Sequence, residues 1–475
     1  MKNNNRRDFL KLSGLTSFGL LGGGLFNGVS GRASSVGIGH LSNFERKGQR
    51  FNMCGYSAPR LDVVRVGFIG LGQRGPTHLN NMTKLENVSI KGVCDIRRDH
   101  AVKAQKMAVD AGHNPKVYTD NADAWKKMCD DGDIDLVFIA TPWDLHTPIA
   151  LYAMEHGIHV CSEVPIGLTL EECWQVVETS ERTKKYCMMM ENCCYDFFEL
   201  LTLNMARQGY FGEIVHGEGA YNHNLYDLNF NKDGYYGMWR LRENTRHNGN
   251  LYPTHGLGPV CQVMNINRGD RMDYLVSVST NDFMMGKRAE EFAAKDSFYA
   301  PYVGAQYRGN TNITTIRTTK GKTIMIEHDV TSPNVYSRIH KIIGTKGTAL
   351  KYPLPPKISN GADNWLSEDE MKAVNEKYQP PIVKKVGEMA KKVGGHGGMD
   401  FIMDWRTIDC IRNGLPLDQD VYDAALWSCI FPLSGLSVAN RAMTLDVPDF
   451  TRGAWEKNAP VDISLDKGAN TQVKS

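Results

Sequence analysis

The chain has 475 residues, 41% of them hydrophobic and 9% aromatic, which is enough for full-sized cores and longer than most single domains, so two domains are the default. With 55 basic and 53 acidic side chains the formal net charge is +2, a balance that excludes the strongly basic surface of a nucleic-acid binder.

At the N-terminus, Asn5-Arg6-Arg7-Asp8-Phe9-Leu10-Lys11 precedes a modest, glycine-rich apolar stretch from Leu12 to Val29. Residues 1–33 resemble a twin-arginine export signal, which predicts a folded product delivered to the periplasm of a bacterium. The stretch is short and weakly hydrophobic for a membrane span, and no later segment is expected to approach the length of one, so no stable membrane insertion is expected. Residues 34–61 read as a loose leader.

Residues 64 to 75, VRVGFIGLGQRG, combine a β-branched apolar run with Gly70-x-Gly72-x-x-Gly75. Gly70 allows a tight turn, Gly72 lets the backbone approach a pyrophosphate at a helix N-terminus, and Gly75 lets that helix pack on the strand. Asp95 closes the next apolar run at about the 20-residue spacing of a carboxylate that bonds an adenosine ribose. The segment is therefore a dinucleotide site holding NAD, with Gln73 and Arg74 at the turn. Asp95 favours NAD over its 2′-phosphorylated form, although Arg97 and Arg98 follow directly and are candidates to accept that phosphate.

Strand and helix patterns then alternate: strands at 64–70, 88–94, 116–118, 134–140, 158–161 and 186–190, with helices from 76 and at 99–111, 121–130, 147–156 and 170–183. This predicts a six-stranded, doubly wound parallel (Rossmann) domain over 62–195. From Gly212 the pattern changes to antiparallel strands within 212–223, 274–282, 311–330 and 338–352, with turns at Thr319–Gly321 and Thr345–Gly347. Apolar periodicity at 398–413 and 421–440 predicts two C-terminal helices. The fold class is α/β, the second domain (196–450) carrying a large open, mostly antiparallel sheet, and 451–475 forming a tail. The eleven cysteines fit no zinc spacing and read as reduced and structural, with no metal.

In such a sheet ligands bind beyond the carboxyl ends of the strands. That gives weight to Trp143 and His146 after the fourth strand, Glu163 and Val164 after the fifth, and Asn192 after the sixth, all expected at the nicotinamide half of the cofactor.

The fingerprint, the loop TPWDLH (141–146), HGIHVCSEVP (156–165) and MMMEN (188–192) resemble the Gfo/Idh/MocA oxidoreductase family from residue 62 onward. The dehydrogenases of that family carry Glu-Lys-Pro where this chain has Glu163-Val164-Pro165, which puts simple alcohol dehydrogenation in doubt. In the second domain, Gly219-Ala220-Tyr221-Asn222-His223, Trp239-Arg240 and Asn250-Leu251-Tyr252-Pro253-Thr254-His255-Gly256 resemble glycoside hydrolase family 109, the NAD-dependent α-N-acetylgalactosaminidases. Leu251 stands where the dehydrogenases have an aspartate.

The resemblance implies a retaining glycosidase that acts on a glycan terminus. The sugar is oxidised at carbon 3, a base removes the proton at carbon 2, the aglycone is eliminated, water adds, and reduction regenerates a tightly bound NAD. His255 is the first choice for the base and His223 the second, because a histidine titrates near neutrality. Tyr252 is a further candidate for proton transfer and for cofactor contact. Tyr221, Arg240, Tyr252, Pro253, Thr254, His255 and Tyr336 are the substrate-binding candidates, and assembly into a homodimer or larger oligomer through the second sheet is expected. The alternatives are a sugar or cyclitol oxidoreductase, a glycosidase of the same mechanism with another sugar preference, and a non-catalytic NAD sensor. His223, His255, Tyr252 and Arg240 together argue against the sensor.

Overall fold

A computed structural model describes residues 45–474. The twin-arginine pattern and the first part of the leader lie outside the described residues.

The first sheet contains β1 (Val64–Ile69), β2 (Val88–Cys94), β3 (Lys116–Tyr118), β4 (Leu136–Ile139), β5 (His159–Ser162) and β6 (Cys187–Met189), all parallel, in the order β3-β2-β1-β4-β5-β6. Apolar runs such as LVFI in β4 suit this sheet, because helices cover both faces and every residue of that strand is buried. The helix Leu170–Thr183 starts at a capping box in which Thr169 and Glu172 accept each other's backbone N–H, as its sequence Thr-x-x-Glu dictates.

The second sheet contains β7 (Ile214–Asn222), β8 (Met272–Ser279), β9 (Asn312–Thr318), β10 (Thr323–Asp329), β11 (Lys341–Gly344), β12 (Thr348–Leu350), β13 (Lys357–Ser359) and β14 (Leu445–Asp446). Its order is β13-β12-β11-β7-β10-β9-β8-β14. In β9 buried and exposed residues alternate strictly, so one face packs on the core and the other is open. One pairing departs from the antiparallel expectation: β7 and β10 run parallel. The chain leaves β7 through the helix Thr254–Met264 before it enters β8, and a helical crossover, unlike a hairpin, can return a strand in the same direction.

That helix was not expected, since Gly256, Gly258 and Pro259 lower its intrinsic propensity. Packing holds it. A Cβ on Gly219 would lie 2.4 Å from the carbonyl oxygen of Gly256, and one on Gly256 would lie 2.3 Å from the backbone nitrogen of Ala220. The paired glycines bring helix and strand into backbone contact, and this sets His255 beside Tyr221. Gly256→Ala is expected to cost about 1–3 kcal/mol by forcing the two apart, read as a lowered Tm.

The C-terminal helices, Met399–Asn413 and Val421–Ala439, fall within a residue of their expected bounds and bury Phe401, Trp405, Trp427 and Phe431 completely or nearly so. Contrary to the sequence reading, Val421–Ala439 is long and apolar enough by composition to span a membrane; here 78% of its most apolar stretch is buried inside the protein. The leader is also not loose where it is described. Met53 and Ala58 are buried, and the Met53 N–H donates to the Tyr422 hydroxyl. The tail is held at Asp409, whose carboxylate accepts from the backbone of Ala469, Asn470 and Thr471. All eleven cysteines are unbridged, Cys54 partly exposed and the others buried.

Candidate active site

The carboxyl ends of the first sheet open onto a cleft of about 1100 Å³ that continues to β7 and the helix Thr254–Met264. At one end, Gly70 takes φ +87°, and a Cβ there would lie 2.6 Å from the backbone of Ala140. A Cβ on Gly75 would lie 2.0 Å from the Gly70 carbonyl oxygen, so this glycine serves the helix–strand packing and does not line the cleft. Gly72 has nothing within 4 Å of where its Cβ would stand. It leaves a bare backbone cradle facing the cleft, which fits a pyrophosphate. Asp95 lines the same end and accepts from the Leu71 N–H at 2.6 Å and the Arg97 N–H at 2.7 Å, while the Arg97 guanidinium is paired with Asp99. Gln73 donates across the cleft to the Gly234 carbonyl at 2.7 Å.

The middle of the cleft is tied by a chain of charges. Arg74 bonds Glu163 at 2.7 Å and Asp400 at 3.0 Å, and Asp400 accepts from Asn192 at 2.6 Å. Behind Glu163, His78 stands between its carboxylate at 3.0 Å and that of Asp404 at 2.9 Å. Burial alone would push the Glu163 carboxyl up, but Arg74 and His78 hold it well below the ordinary range. Burial alone would lower His78, but the facing Asp404 and Glu163 raise it to about 9. His146 lines the wall, yet its ring nitrogens lie 2.7 and 2.8 Å from the carbonyl oxygens of Pro165 and Thr141, so it joins two loops instead of reaching into the cleft. Val164 also lines the cleft.

At the other end, Trp143, Tyr221, Tyr252 and His255 form an aromatic wall, with Tyr252 centred 4.8 Å from both Tyr221 and His255. The Arg240 guanidinium stands 4.7 to 5.4 Å from the ring centres of Trp143, Tyr235, Trp239 and Tyr252, and has no carboxylate partner among the described residues. A caged cation of this kind suits a carbonyl or hydroxyl of a ligand. His223 takes a hydrogen bond from the Tyr221 hydroxyl at 3.0 Å or donates one to it, and Tyr336, which does not itself line the cleft, packs edge-on against His223. Burial, then Arg240, His255 and His396, push His223 below its ordinary value. Pro253 and Thr254 open the helix that carries His255 and do not line the cleft.

His255 is built differently. Its Nδ1–H donates to the fully buried Glu191 carboxylate at 2.7 Å, which leaves Nε2 for the cleft. Burial alone would raise the Glu191 carboxyl, but His255 more than offsets this and holds it below its ordinary value. Glu191 belongs to the MMMEN stretch noted in the sequence but was given no role of its own. Its place directly after β6 was the available signal, but its partner lies 64 residues away. Asp400 and His396 were missed as well: they sit at the start of an apolar helix, where a charged turn is unremarkable.

Glu191, Cys193 and His255 hold ligand atoms within 4.8 Å of one another. The Cys193 sulfur lies 2.9 Å from an Arg338 nitrogen, and burial pushes its thiol well above the ordinary value. With a protonated thiol and a carboxylate already serving His255, the group is a poor cation site.

Residues 64–191 match the family described as oxidoreductase, NAD-binding Rossmann fold, and residues 195–457 match glycosyl hydrolase 109, C-terminal domain. The chain is 49% identical over 412 residues to the α-N-acetylgalactosaminidase of Bacteroides fragilis, an alignment that covers 86% of this chain and 96% of that protein. It is 45% identical to a glycosyl hydrolase family 109 protein of a Shewanella species, with 98% and 99% covered. Among solved structures it shares its fold with levoglucosan dehydrogenase in complex with NADH and L-sorbose, at TM-score 0.60 and 18% identity, covering 82% of this chain and all of that one. The scyllo-inositol dehydrogenase of Lactobacillus casei with NAD(H) and scyllo-inositol matches at TM-score 0.57 and 15% identity, covering 81% and 99%. With a Rossmann cradle and a His–Glu pair on one cleft, and with close relatives of matching length, the chain belongs to glycosyl hydrolase family 109 and is a glycoside hydrolase built on an NAD-binding fold.

Proposed function

We propose that the protein removes terminal α-linked N-acetylgalactosamine from glycans with retention of configuration, using one tightly held NAD that is restored in every turnover. The observation that carries this reading is the single cleft in which the glycine cradle and the Glu191-backed His255 stand together. The 49% identity to the Bacteroides fragilis enzyme named for that activity supports the choice of sugar.

Gly70, Gly72, Gln73, Arg74 and Asp95 would hold the pyrophosphate and adenosine ribose, and Trp143, Glu163, Val164, Asn192 and Tyr252 would frame the nicotinamide. His146 and Gly75 support those loops. When bound, NAD supplies the reversible oxidation of the sugar at carbon 3, which acidifies the proton on carbon 2. His255 takes that proton on Nε2 while Glu191 stabilises the imidazolium that forms. Arg240 receives the N-acetyl carbonyl or a hydroxyl, Tyr221 and Tyr252 face the sugar, and Tyr336 supports His223 from behind. No step requires a metal.

The Arg6-Arg7 pattern supports export by the twin-arginine route into the periplasm, a route that carries proteins already folded around a cofactor. On the open face of the second sheet, the paired and exposed Val278 and Ile313 support association of two copies there.

Proton NMR of the purified protein with an α-N-acetylgalactosaminide in heavy water, without added cofactor, tests the reading. Release of the α-sugar carrying deuterium at carbon 2 is expected. Accumulation of free NADH with no hydrolysis would instead mark a dehydrogenase.

A further inference from the structure

Elimination needs two proton transfers, one from carbon 2 and one to the departing oxygen. His255 accounts for the first only. A glycan aglycone must leave through the mouth of the cleft, so the second group belongs near the mouth, carries a proton and can recover it.

Three of the cleft histidines do not meet that description. His100 stands near Asp95 at the adenosine end, His146 is held by two carbonyls, and His223 has a tyrosine hydroxyl as its partner. His396 meets it. It is half exposed and lines the cleft, and its Nδ1–H donates to Asp400 at 2.8 Å. Asp400 is completely buried and is fixed in turn by Asn192 and Arg74. The Arg74 guanidinium, which shares the Asp400 carboxylate, also comes within 3.3 Å of His396 Nδ1. Nε2 is left toward the cleft. The arrangement repeats that of His255 and Glu191, with the difference that its side chain is 49% exposed where His255 is 14%.

The loop that carries His396 is specialised for this placement. Gly394, Gly395, His396, Gly397 and Gly398 all have positive φ, at 85, 77, 46, 75 and 107°. A non-glycine residue rarely adopts that backbone, and it persists only where its surroundings enforce it. Here a Cβ on Gly395 would press on Asp400 at 3.0 Å, and one on Gly398 would lie 2.8 Å from the backbone of Ala390. Four glycines and a strained histidine thus hold one imidazole over the cleft.

We propose that His396, backed by Asp400, is the general acid that protonates the departing glycosidic oxygen and the base that then activates the incoming water. The proposal rests on the glycosidase reading above. As His255 removes the proton from carbon 2, a double bond forms between carbons 1 and 2 and the bond from carbon 1 to the glycosidic oxygen breaks. The electron pair leaves on that oxygen, which takes the Nε2 proton of His396 and departs as an alcohol. Water then adds to carbon 1 and gives a proton to His396, and His255 returns its own to carbon 2, so both histidines end as they began.

The test is the dependence on leaving group in His396→Asn, a change chosen because asparagine tolerates positive φ. Wild type and variant are compared on a methyl α-N-acetylgalactosaminide, whose alcohol must be protonated to leave, and on the 2,4-dinitrophenyl glycoside, which leaves as an anion. The expected result is a loss of kcat/KM of roughly 10²-fold or more on the first and only a few-fold on the second. Deuterium exchange at carbon 2 of free N-acetylgalactosamine and the NAD content after gel filtration should be unchanged. Equal losses on the two substrates, loss of the exchange, or no loss at all would overturn the assignment while leaving the glycosidase reading intact. A wild type that cleaves neither substrate would remove that reading and this one with it.

Discussion

His255→Ala is expected to lower turnover of an α-N-acetylgalactosaminide by about 10²- to 10⁴-fold, the usual contribution of a positioned base. It should also abolish deuterium incorporation at carbon 2 while the protein keeps its NAD. The comparison that makes this specific is His223→Ala, which should still exchange at carbon 2. The two histidines face the same cleft, but only His255 has a carboxylate behind it: Glu191 favours the imidazolium that a base becomes, whereas burial and Arg240 disfavour it at His223. Glu191→Gln keeps the shape and removes that charge, so it should lower the rate without changing the sugar's affinity. A His223→Ala variant that lost the exchange while His255→Ala kept it would reverse the assignment.

The second large effect is on stability. His78 is 1% exposed and stacks on Phe138 between Asp404 and Glu163, so His78→Leu leaves two buried carboxylates short of a partner. Removing one member of such a set costs about 3–5 kcal/mol. Burial and the nearby Asp400 push the Asp404 carboxyl up even as His78 pulls it down, whereas Glu163 is held low, so the charge that binds the set together is the His78 cation. Its folded pKa of about 9 lies above the ordinary 6.5, so the stabilisation is complete below about 6.5 and is lost as pH rises through about 9. At 1.36 kcal/mol per pKa unit the span amounts to about 3 kcal/mol. The gap in Tm between wild type and His78→Leu should therefore be wide at pH 6 and narrow by pH 10. A gap that stayed constant across that range would assign the loss to packing.

The two halves of the chain differ in how much of this could be read in advance. In the first domain each strand is a short apolar run followed by its turn and helix, so the pattern within some thirty residues carries the topology, and strands and glycine turn lie within a few residues of where the spacing puts them. In the second domain the direction of β10 against β7 depends on a helix with two internal glycines and a proline, which no local propensity announces. That helix exists because Gly219 and Gly256 let two backbones touch.

The motifs that resemble the family pointed to His255, Tyr252, Tyr221 and Arg240 as site candidates, and the fold brings all four to one wall of the cleft. What each can do depends on partners that sequence distance conceals. Glu191 reaches His255 across 64 residues, and Asp400 reaches Arg74 across 326. His146 is expected at the nicotinamide from its place after the fourth strand, but its ring nitrogens face the carbonyls of two loops. His396 is only four residues from Asp400, yet nothing marked it until the glycine loop was seen to hang over the cleft. The identity of a side chain and the period of an apolar run are local properties and survive in the linear chain. A histidine's protonation, tautomer and task are set by the charges and dielectric around it, and those are assembled only when distant elements pack.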